Sequence, residues 1–226
     1  MRYEGMRVAC DSTHSRTHAL AHLFNQTFNT NENAMTDEST ARAPLHVLAF
    51  AGSLRAASYN KMLLRAAQEL APAGMHIETY DISGIPLYNE DVEAAGVPPA
   101  VEAFRAAIAA GDALLIAVPE YNHGVPGVLK NAIDWASRPP RSSPLSGKPT
   151  ALLGASPGQT GTARAQTQLR ASFVFTNTPV LPQPEVLVFR AHEKFDADGR
   201  LTDDGTRLFI GKLLVALADW TARLAG

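Results

Sequence analysis

Apolar and polar positions alternate in blocks along most of the chain. The apolar run at 45–50 stops before Gly52 and predicts a first strand. Residues 59–70 then place apolar side chains at helical spacing. Ser58 is suited to cap the start of this helix, and Gly74 lies just beyond its end. The pattern therefore predicts a strand followed directly by a helix.

The same alternation continues to the end of the chain. Four further strands are predicted, at 75–80, 113–118, 150–154 and 186–189. A helix between the first two of these contains Val101, Phe104 and Ile108 and ends at Gly111, and the next helix has Pro126 in its first turn and directs Leu129, Ile133 and Ala136 inward. The last predicted helix covers 204–224 and buries Leu213, Leu217, Trp220 and Leu224. The run 113–118 is apolar on both faces, which is typical of a central parallel strand. Strands that alternate with helices predict an α/β fold with right-handed crossovers. We expect a flavodoxin-like, doubly wound five-stranded parallel sheet of order 2-1-3-4-5, with three α/β/α layers.

The first part of the chain differs from the rest. Residues 1–44 are polar, carry no sustained period and lack the apolar core of a secretory signal. We expect a disordered extension or an over-long gene prediction there, and one domain over 45–226. His14, His18 and His22 would share one face of a helix, which is a pattern seen in metal sites. No carboxylate or cysteine completes the set, so we predict a solvated tail and no metal.

Charge and cysteine content bear on the partners and the compartment of the protein. Twenty basic residues against twenty-two acidic ones give a net charge of −2, which argues against a nucleic-acid partner. The single cysteine, Cys10, excludes an intramolecular disulfide and favours a reducing compartment, so we predict a cytoplasmic protein. No apolar run approaches the roughly 18 residues of a membrane span, so no membrane partner is predicted.

The predicted topology locates the ligand site before any motif does. In doubly wound sheets, ligands bind beyond the carboxyl ends of the strands, where the winding reverses. This rule selects the loops after Phe50, Val118 and Gly154.

The first of these loops, at 52–60, is typical of an anion site. Free backbone N–H groups and the positive end of the helix dipole favour a phosphate there. Ser53, Ser58 and Asn60 add neutral donors, and Arg55 adds a charge that can form paired hydrogen bonds with a phosphate. The loop carries neither the P-loop motif nor GxGxxG, so it predicts a single phosphate. The alternative is a capped helix with a surface arginine.

The other two loops, at 119–127 and 155–162, are rich in glycine and proline. Such loops let a flat ligand approach the backbone closely. The alternatives are a turn-rich connection in which Tyr121 packs on the sheet and a simple Gly/Ser linker. The three loops together predict a mononucleotide with a large heteroaromatic ring, and flavin mononucleotide (FMN) fits best.

Three runs of the sequence are similar to those of a known family. GSLRAASYN at 52–60, PEYNHGVPGVLKNAIDWASRP at 119–139 and GASPGQTGTARAQ at 154–166 resemble the NADPH-dependent FMN reductases, the flavodoxin-like group of quinone, chromate and azo-dye reductases. The resemblance covers 45–226. It implies a cofactor-binding set of Ser53, Leu54, Arg55, Ser58, Tyr59 and Asn60 at the phosphate, and of Pro119, Glu120, Tyr121, Asn122, Ser156 and Gly158 at the ring.

The resemblance also implies an activity. Reduced NADPH or NADH would pass a hydride through N5 of FMN to a small-molecule acceptor, by ping-pong kinetics on one shared face. Quinones, azo dyes, chromate and free flavin are the implied acceptors, and the flavin rather than a catalytic side chain carries the chemistry. A homodimer or homotetramer is implied as well. An intersubunit pair of Arg164 and Glu185 is compatible with such an assembly, but a solvated surface position is favoured for each.

Two residues of the second loop have competing roles. We expect Glu120 to fix the loop by accepting backbone N–H bonds rather than to act as a general acid. His123 would face either the acceptor or solvent.

Two other functions stay open at this point. A flavodoxin-type electron carrier would need a partner reductase, although Arg55 in the phosphate loop and the near-zero net charge argue against it. A flavin-free domain with a purely structural anion site is the second.

Overall fold

Five parallel strands form one sheet in the order β2-β1-β3-β4-β5, as the sequence predicts. The structure is a computed structural model, and it describes residues 44–226. The strands are β1 Leu45–Ala51, β2 Met75–Tyr80, β3 Ala113–Ala117, β4 Thr150–Ala155 and β5 Val186–Val188. The winding reverses between β1 and β3, which are hydrogen-bonded neighbours. The flavodoxin-like topology is therefore confirmed.

Six α-helices connect and cover these strands in the described part of the chain. They are α1 Tyr59–Glu69, α2 Glu90–Ala95, α3 Pro99–Ala110, α4 Gly127–Ala136, α5 Ala163–Ser172 and α6 Asp204–Ala225. Short 3-10 helices lie at Ile82–Gly84, Pro140–Ser142 and Ala191–Glu193. The hydrophobic pattern predicts neither α2 nor α5, because α2 buries no residue and α5 buries few.

Two apolar layers sandwich the sheet. Because side chains alternate between faces along a strand, Leu115 of β3 packs with α1 and α6, whereas Leu114 and Ile116 pack with α3 and α4. All residues of β3 are buried, as expected for a central parallel strand. Both faces of the sheet are thus covered by helices. The loops after β1, β3 and β4 lie at the carboxyl ends of the strands, where the sequence predicts the ligand site.

Three element predictions need correction. Leu224 is 45% exposed rather than buried, because the 22-residue α6 spans about 33 Å and outruns the strands that it covers. Strand β5 ends before Phe189, which is 44% exposed. Pro126 precedes α4 as its N-cap rather than lying in its first turn, because α4 begins at Gly127.

The predictions for the first part of the chain cannot be compared with the structure. Residues 1–43 lie outside the described residues, and so do His14, His18, His22 and Cys10. The proposed extension and the absence of a metal there stay predictions. Within residues 44–226, no helix combines the length and the apolar character that crossing a membrane requires.

Candidate functional site

The loop between β1 and α1 presents unused backbone donors. Within the described chain, no backbone N–H from Ser53 to Ala57 donates a hydrogen bond to another group. Ser53 is buried with only 3% of its surface exposed, whereas Leu54 is half exposed at 49%. A row of free N–H groups next to a helix start is the arrangement that holds a phosphate. The loop therefore has the donor set that the sequence predicts.

Ser58 caps the start of α1. Its hydroxyl oxygen accepts from the backbone N–H of Asn60 at 3.3 Å, and the residue is almost fully buried. Because a hydroxyl that accepts one hydrogen bond can still donate another, capping does not compete with donation to a phosphate.

Arg55 lies on the rim of the same loop. Its guanidinium carbon is 5.6 Å from the centre of the Tyr59 ring, and Tyr59 packs on Phe195 at 5.5 Å. No carboxylate of residues 44–226 forms an ion pair with Arg55. An arginine held by a ring and free of an acidic partner is suited to bind an anion.

Asn60 has a different environment from the other predicted phosphate ligands. Its amide nitrogen donates to the carbonyl oxygen of Ala155 at 2.9 Å, and its amide oxygen accepts from the Ala155 N–H at 3.0 Å. The side chain is buried and ties the first turn of α1 to the end of β4. Asn60 thus fixes the phosphate loop relative to the third loop, while direct contact with a phosphate stays a prediction.

The loop after β3 contains a tight turn. Tyr121 and Gly124 exchange backbone hydrogen bonds of 3.1 and 3.0 Å, and Asn122 and His123 between them both have positive φ, at 49° and 62°. Two central residues with positive φ characterise a type I′ turn. The side chains of Asn122 and His123 are exposed, and the rigid turn presents them at the carboxyl edge of the sheet.

Tyr121 connects this turn to the phosphate loop. Its hydroxyl donates to the Ser53 hydroxyl at 3.1 Å, although 52% of the Tyr121 surface is exposed. The structure therefore brings together one predicted ring residue and one predicted phosphate residue.

Glu120 anchors the same loop to α5. Its carboxylate accepts from the backbone N–H groups of Arg164 at 3.0 Å and Ala165 at 3.2 Å, and from the Arg164 guanidinium at 3.0 Å. The Glu120 side chain is only 7% exposed. A carboxylate at a helix N-terminus is favoured by the helix dipole, so the position suits a structural anchor. The structure supports the anchoring role that the sequence favours over that of a general acid.

Arg164 has an ion-pair partner within its own chain. Its guanidinium lies 3.0 Å from the Glu120 carboxylate, because the start of α5 lies against the loop after β3, and 47% of the Arg164 side chain is exposed. The intersubunit pair with Glu185 stays a prediction.

The third loop begins with Ser156, which is half-buried, and continues through the exposed Gly158. The Ser156 hydroxyl accepts from the Gly158 N–H at 3.1 Å. The carbonyl oxygens of these two residues accept from the N–H groups of Ala191 and Arg190, each at 3.0 Å. The segment after β5 therefore lies beside the third loop. Sequence reasoning missed it, and the only signal was its place after a predicted strand.

Two glycines near these loops pack against protein rather than leave room for a ligand. A Cβ on Gly52 would come within 2.8 Å of the Leu129 side chain, and one on Gly154 within 2.4 Å of the Val118 carbonyl oxygen. Pro119, also buried, has its side chain 3.0 Å from the position of the Gly52 Cβ. These glycines allow α4 and the loop before α5 to approach the strand ends.

The residues present fit FMN. Free N–H groups, a buried hydroxyl and an unpaired arginine suit a phosphate monoester. The loops after β3 and β4 meet at the same edge and present backbone and an aromatic ring, which suit a flat heteroaromatic group.

Comparison with known proteins decides the family. A family model described as NADPH-dependent FMN reductase matches residues 45–193. The chain belongs to the NADPH-dependent FMN reductase family. It is 58% identical over 182 residues to an NAD(P)H-dependent FMN reductase of Pseudomonas aeruginosa, covering 80% of this chain and 98% of that protein. It is 45% identical over 169 residues to a quinone reductase of Pseudomonas putida, covering 75% and 90%.

A solved structure agrees with this assignment. FerB, a flavoenzyme NAD(P)H:acceptor oxidoreductase from Paracoccus denitrificans, has a TM-score of 0.72 and 37% identity, over 78% of this chain and 97% of that one. The prediction of an NAD(P)H-dependent FMN reductase, with FMN as cofactor and NAD(P)H as co-substrate, is confirmed for this family member.

Proposed function

We propose that this chain is an FMN-dependent NAD(P)H:quinone oxidoreductase. The observation that carries the proposal is the β1–α1 loop. Its backbone N–H groups at 53–57 donate to no other group of the described chain, Ser53 is buried, and Arg55 has no ion-pair partner among residues 44–226. Relatives named quinone reductase and 2-hydroxy-1,4-benzoquinone reductase, from Pseudomonas putida and a Burkholderia species, support a quinone as acceptor.

The protein residues bind and orient in this scheme. Ser53, Arg55 and Ser58 hold the phosphate, and the backbone of the loops after β3 and β4 positions the ring. FMN held by these residues would supply the hydride-transfer chemistry between reduced nicotinamide and the acceptor. Glu120 keeps the ring loop fixed on α5, and Asn60 keeps the phosphate loop fixed on β4. Both contacts fix the phosphate and ring loops before FMN binds, so less conformational entropy is lost on binding.

Anaerobic titration of the purified, FMN-loaded protein tests the proposal. NADPH or NADH alone should bleach the flavin absorbance, and addition of a quinone should restore it. A protein that is reduced only in the presence of a partner reductase would instead be an electron carrier. A protein that retains no FMN would contradict the assigned site.

Steady-state kinetics test the reaction order and the acceptor. Because both substrates would use one open face in turn, double-reciprocal plots at several quinone concentrations should be parallel. Intersecting lines would contradict a ping-pong mechanism. Azo dyes, chromate and free flavin belong in the same panel, and quinones should give the highest kcat/KM.

We also propose that the protein forms homodimers or homotetramers in the cytoplasm. Val174 and Phe175, just after α5, are 80% and 70% exposed, and neighbouring apolar side chains of this kind are typical of contact surfaces. Light scattering after size exclusion tests the oligomeric state, and a monomer at micromolar concentration would contradict it. Fluorescence microscopy of the tagged protein tests the location.

A further inference from the structure

A cavity of about 240 Å³ opens beside the phosphate loop but lies outside the proposed FMN site. It lies between α1 and the carboxyl end of β2, and its lining includes Ala51, Lys61, Arg65, Thr79 and Asp81. Ala51 is the last residue of β1, two residues before Ser53, so the cavity begins about 7 Å along the chain from the phosphate loop. The cavity is therefore close enough to the phosphate loop to bind part of a second ligand at the same edge of the sheet.

Two cations face this cavity from one side of α1. Lys61 and Arg65 are one helical turn apart, so their side chains are neighbours. Neither forms an ion pair with a carboxylate of residues 44–226. The Lys61 amino group has only a long contact of 3.5 Å, to the carbonyl oxygen of Leu54 in the phosphate loop. The cavity therefore carries positive charge that the chain itself leaves unpaired.

The acidic residue of the cavity is already engaged. Asp81 accepts from the backbone N–H and from the hydroxyl of Ser83, each at 3.0 Å. The Ser83 backbone hydrogen bond is the main reason why the pKa of Asp81 lies below its ordinary value. The charge of Asp81 is stabilised mainly by this turn and to a smaller extent by the nearby charge of Lys61. Neither Lys61 nor Arg65 forms an ion pair with Asp81, so both can bind a ligand.

The Arg65 side chain lies against the backbone of Gly199. A Cβ on Gly199, whose φ is +76°, would come within 3.0 Å of the Arg65 guanidinium and of the Met62 side chain. Arg65 is otherwise exposed, so its guanidinium is accessible to a ligand.

The lining matches a phosphate on a ribose. Arginine forms paired hydrogen bonds with phosphate oxygens, lysine adds a point charge, and the Thr79 hydroxyl is a further donor. In doubly wound dinucleotide folds, an arginine near the second strand accommodates a 2′-phosphate, whereas an acidic residue there binds the 2′-hydroxyl of NAD. Arg65 lies beside the carboxyl end of β2, and the Asp81 carboxylate in the same lining is engaged by Ser83.

We propose that this cavity is a second phosphate subsite, which binds the ribose 2′-phosphate of NADPH and so selects NADPH over NADH. The inference rests on the proposed reductase function, because it assigns a place to one end of its reducing substrate. The same chemistry would also bind a free phosphorylated nucleoside, and the experiment separates these two sources.

Two single variants, Lys61→Gln and Arg65→Gln, and their combination test the subsite in the FMN-loaded protein. Arg141→Gln is the matched control, since Arg141 is exposed and lies outside the cavity lining. Each variant first has its FMN content measured by absorbance, which should equal that of the parent. The double variant should then raise the KM for NADPH at least tenfold. Its KM for NADH, which lacks the 2′-phosphate, should change less than twofold.

Calorimetric titration with adenosine 2′,5′-bisphosphate provides a readout that is independent of turnover. The parent and Arg141→Gln should bind it, and the double variant should bind at least tenfold more weakly. If the double variant binds the bisphosphate more weakly but keeps the parent's KM for NADPH, the cavity is a phosphate subsite for a free phosphorylated nucleoside, and its assignment to NADPH is wrong. Equal binding by the parent and the double variant would overturn the inference.

Failure of the proposed function would look different. A parent protein that binds no FMN would refute the reductase assignment. The same titration on that FMN-free chain would still support or refute the phosphate subsite.

Discussion

The side-chain amide of Asn60 forms a pair of hydrogen bonds with the backbone of Ala155, 95 residues away along the chain. The contact joins the start of α1 to the end of β4, and so joins the phosphate loop to the third loop. It is buried and supplies hydrogen-bond partners to the N–H and the carbonyl oxygen of Ala155 at the carboxyl end of β4. We therefore expect the relative position of these two loops to depend on this amide.

Asn60→Asp tests this contact. The aspartate would keep an acceptor for the Ala155 N–H but would place a second oxygen against the Ala155 carbonyl oxygen, now 2.9 Å from the amide nitrogen. We expect the FMN-free protein to lose about 1–3 kcal/mol of unfolding free energy, the cost of a buried group without its partner. Urea unfolding measures it. Asn177→Asp, at an exposed position, is the control, and equal stability of the two variants would contradict the bracing role.

Arg55→Ala tests the phosphate loop. Removal of an unpaired cation from the phosphate site should weaken FMN binding by about 1.5–3 kcal/mol, the range for a charge-assisted hydrogen bond. Fluorescence titration of FMN into the apoprotein measures the dissociation constant. Arg141→Ala, another exposed arginine, should leave it unchanged. If Arg55→Ala retains FMN as tightly as the parent, the loop assignment is wrong.

Glu120→Gln tests the anchor between the ring loop and α5. The glutamine keeps the size of the side chain but removes the charge that accepts from Arg164 and from the N-terminus of α5. We expect a loss of about 1–3 kcal/mol in unfolding free energy. If Glu120 were instead a general acid, the variant would keep its stability and lose turnover. Glu185→Gln, at an exposed position, is the matched control.

Asp203 at the start of α6 predicts a pH dependence. Hydrogen bonds from the hydroxyl and the backbone N–H of Thr206, and then from Lys194, lower the pKa of Asp203. A carboxylate whose folded pKa lies below its unfolded value, about 3.9, stabilises the fold above that pH. The contribution is lost as the pH falls through the folded pKa.

Asp203→Asn isolates this charge, because asparagine also caps helices well. The parent should therefore be more stable than the variant at neutral pH. The difference should begin to shrink below about pH 4 and disappear as the pH falls through the folded pKa of Asp203. Urea unfolding at several pH values measures the difference. Asp198→Asn, at an exposed position, is the control, and a difference that does not shrink with falling pH would contradict the prediction.

The hydrophobic pattern predicts the sheet well because the strands are buried on both faces and the covering helices have apolar stripes. It fails at α5, whose first turn is stabilised by Glu120 from a distant loop. Such a contact has no local signal in the sequence. The close approach of Gly154 to Thr162 is likewise a tertiary contact that small residues permit but do not specify.

The motifs predict which residues gather at the edge of the sheet, but not what each one contacts. Asn60 illustrates the difference, since its place in the phosphate motif is compatible with a ligand contact or with a backbone brace. The cavity at Lys61 and Arg65 escaped sequence reasoning for a similar reason. Its residues come from the end of β1, from α1 and from the end of β2. Only the fold brings these elements together, since β2 pairs with β1 and the Gln68 side chain of α1 donates to the Ile77 carbonyl oxygen of β2 at 3.0 Å.

Tyr121→Phe tests whether the ring loop assists phosphate binding. The Tyr121 hydroxyl donates to the Ser53 oxygen at 3.1 Å, which leaves the Ser53 proton free to donate to a phosphate. Hydrogen bonds in such a chain strengthen one another, so removal of the first should weaken the second. We expect FMN binding to weaken by about 0.5–1.5 kcal/mol.

A double-mutant cycle with Ser53→Ala separates this relay from a direct contact between Tyr121 and the flavin. If the hydroxyl acts through Ser53, the Tyr121→Phe effect on the FMN dissociation constant should disappear in the Ser53→Ala background. An effect of the same size in both backgrounds would show that Tyr121 acts on the flavin directly. The cycle therefore distinguishes a hydroxyl that orients Ser53 from one that contacts the ring, in a pair of residues that the fold places together from two different loops.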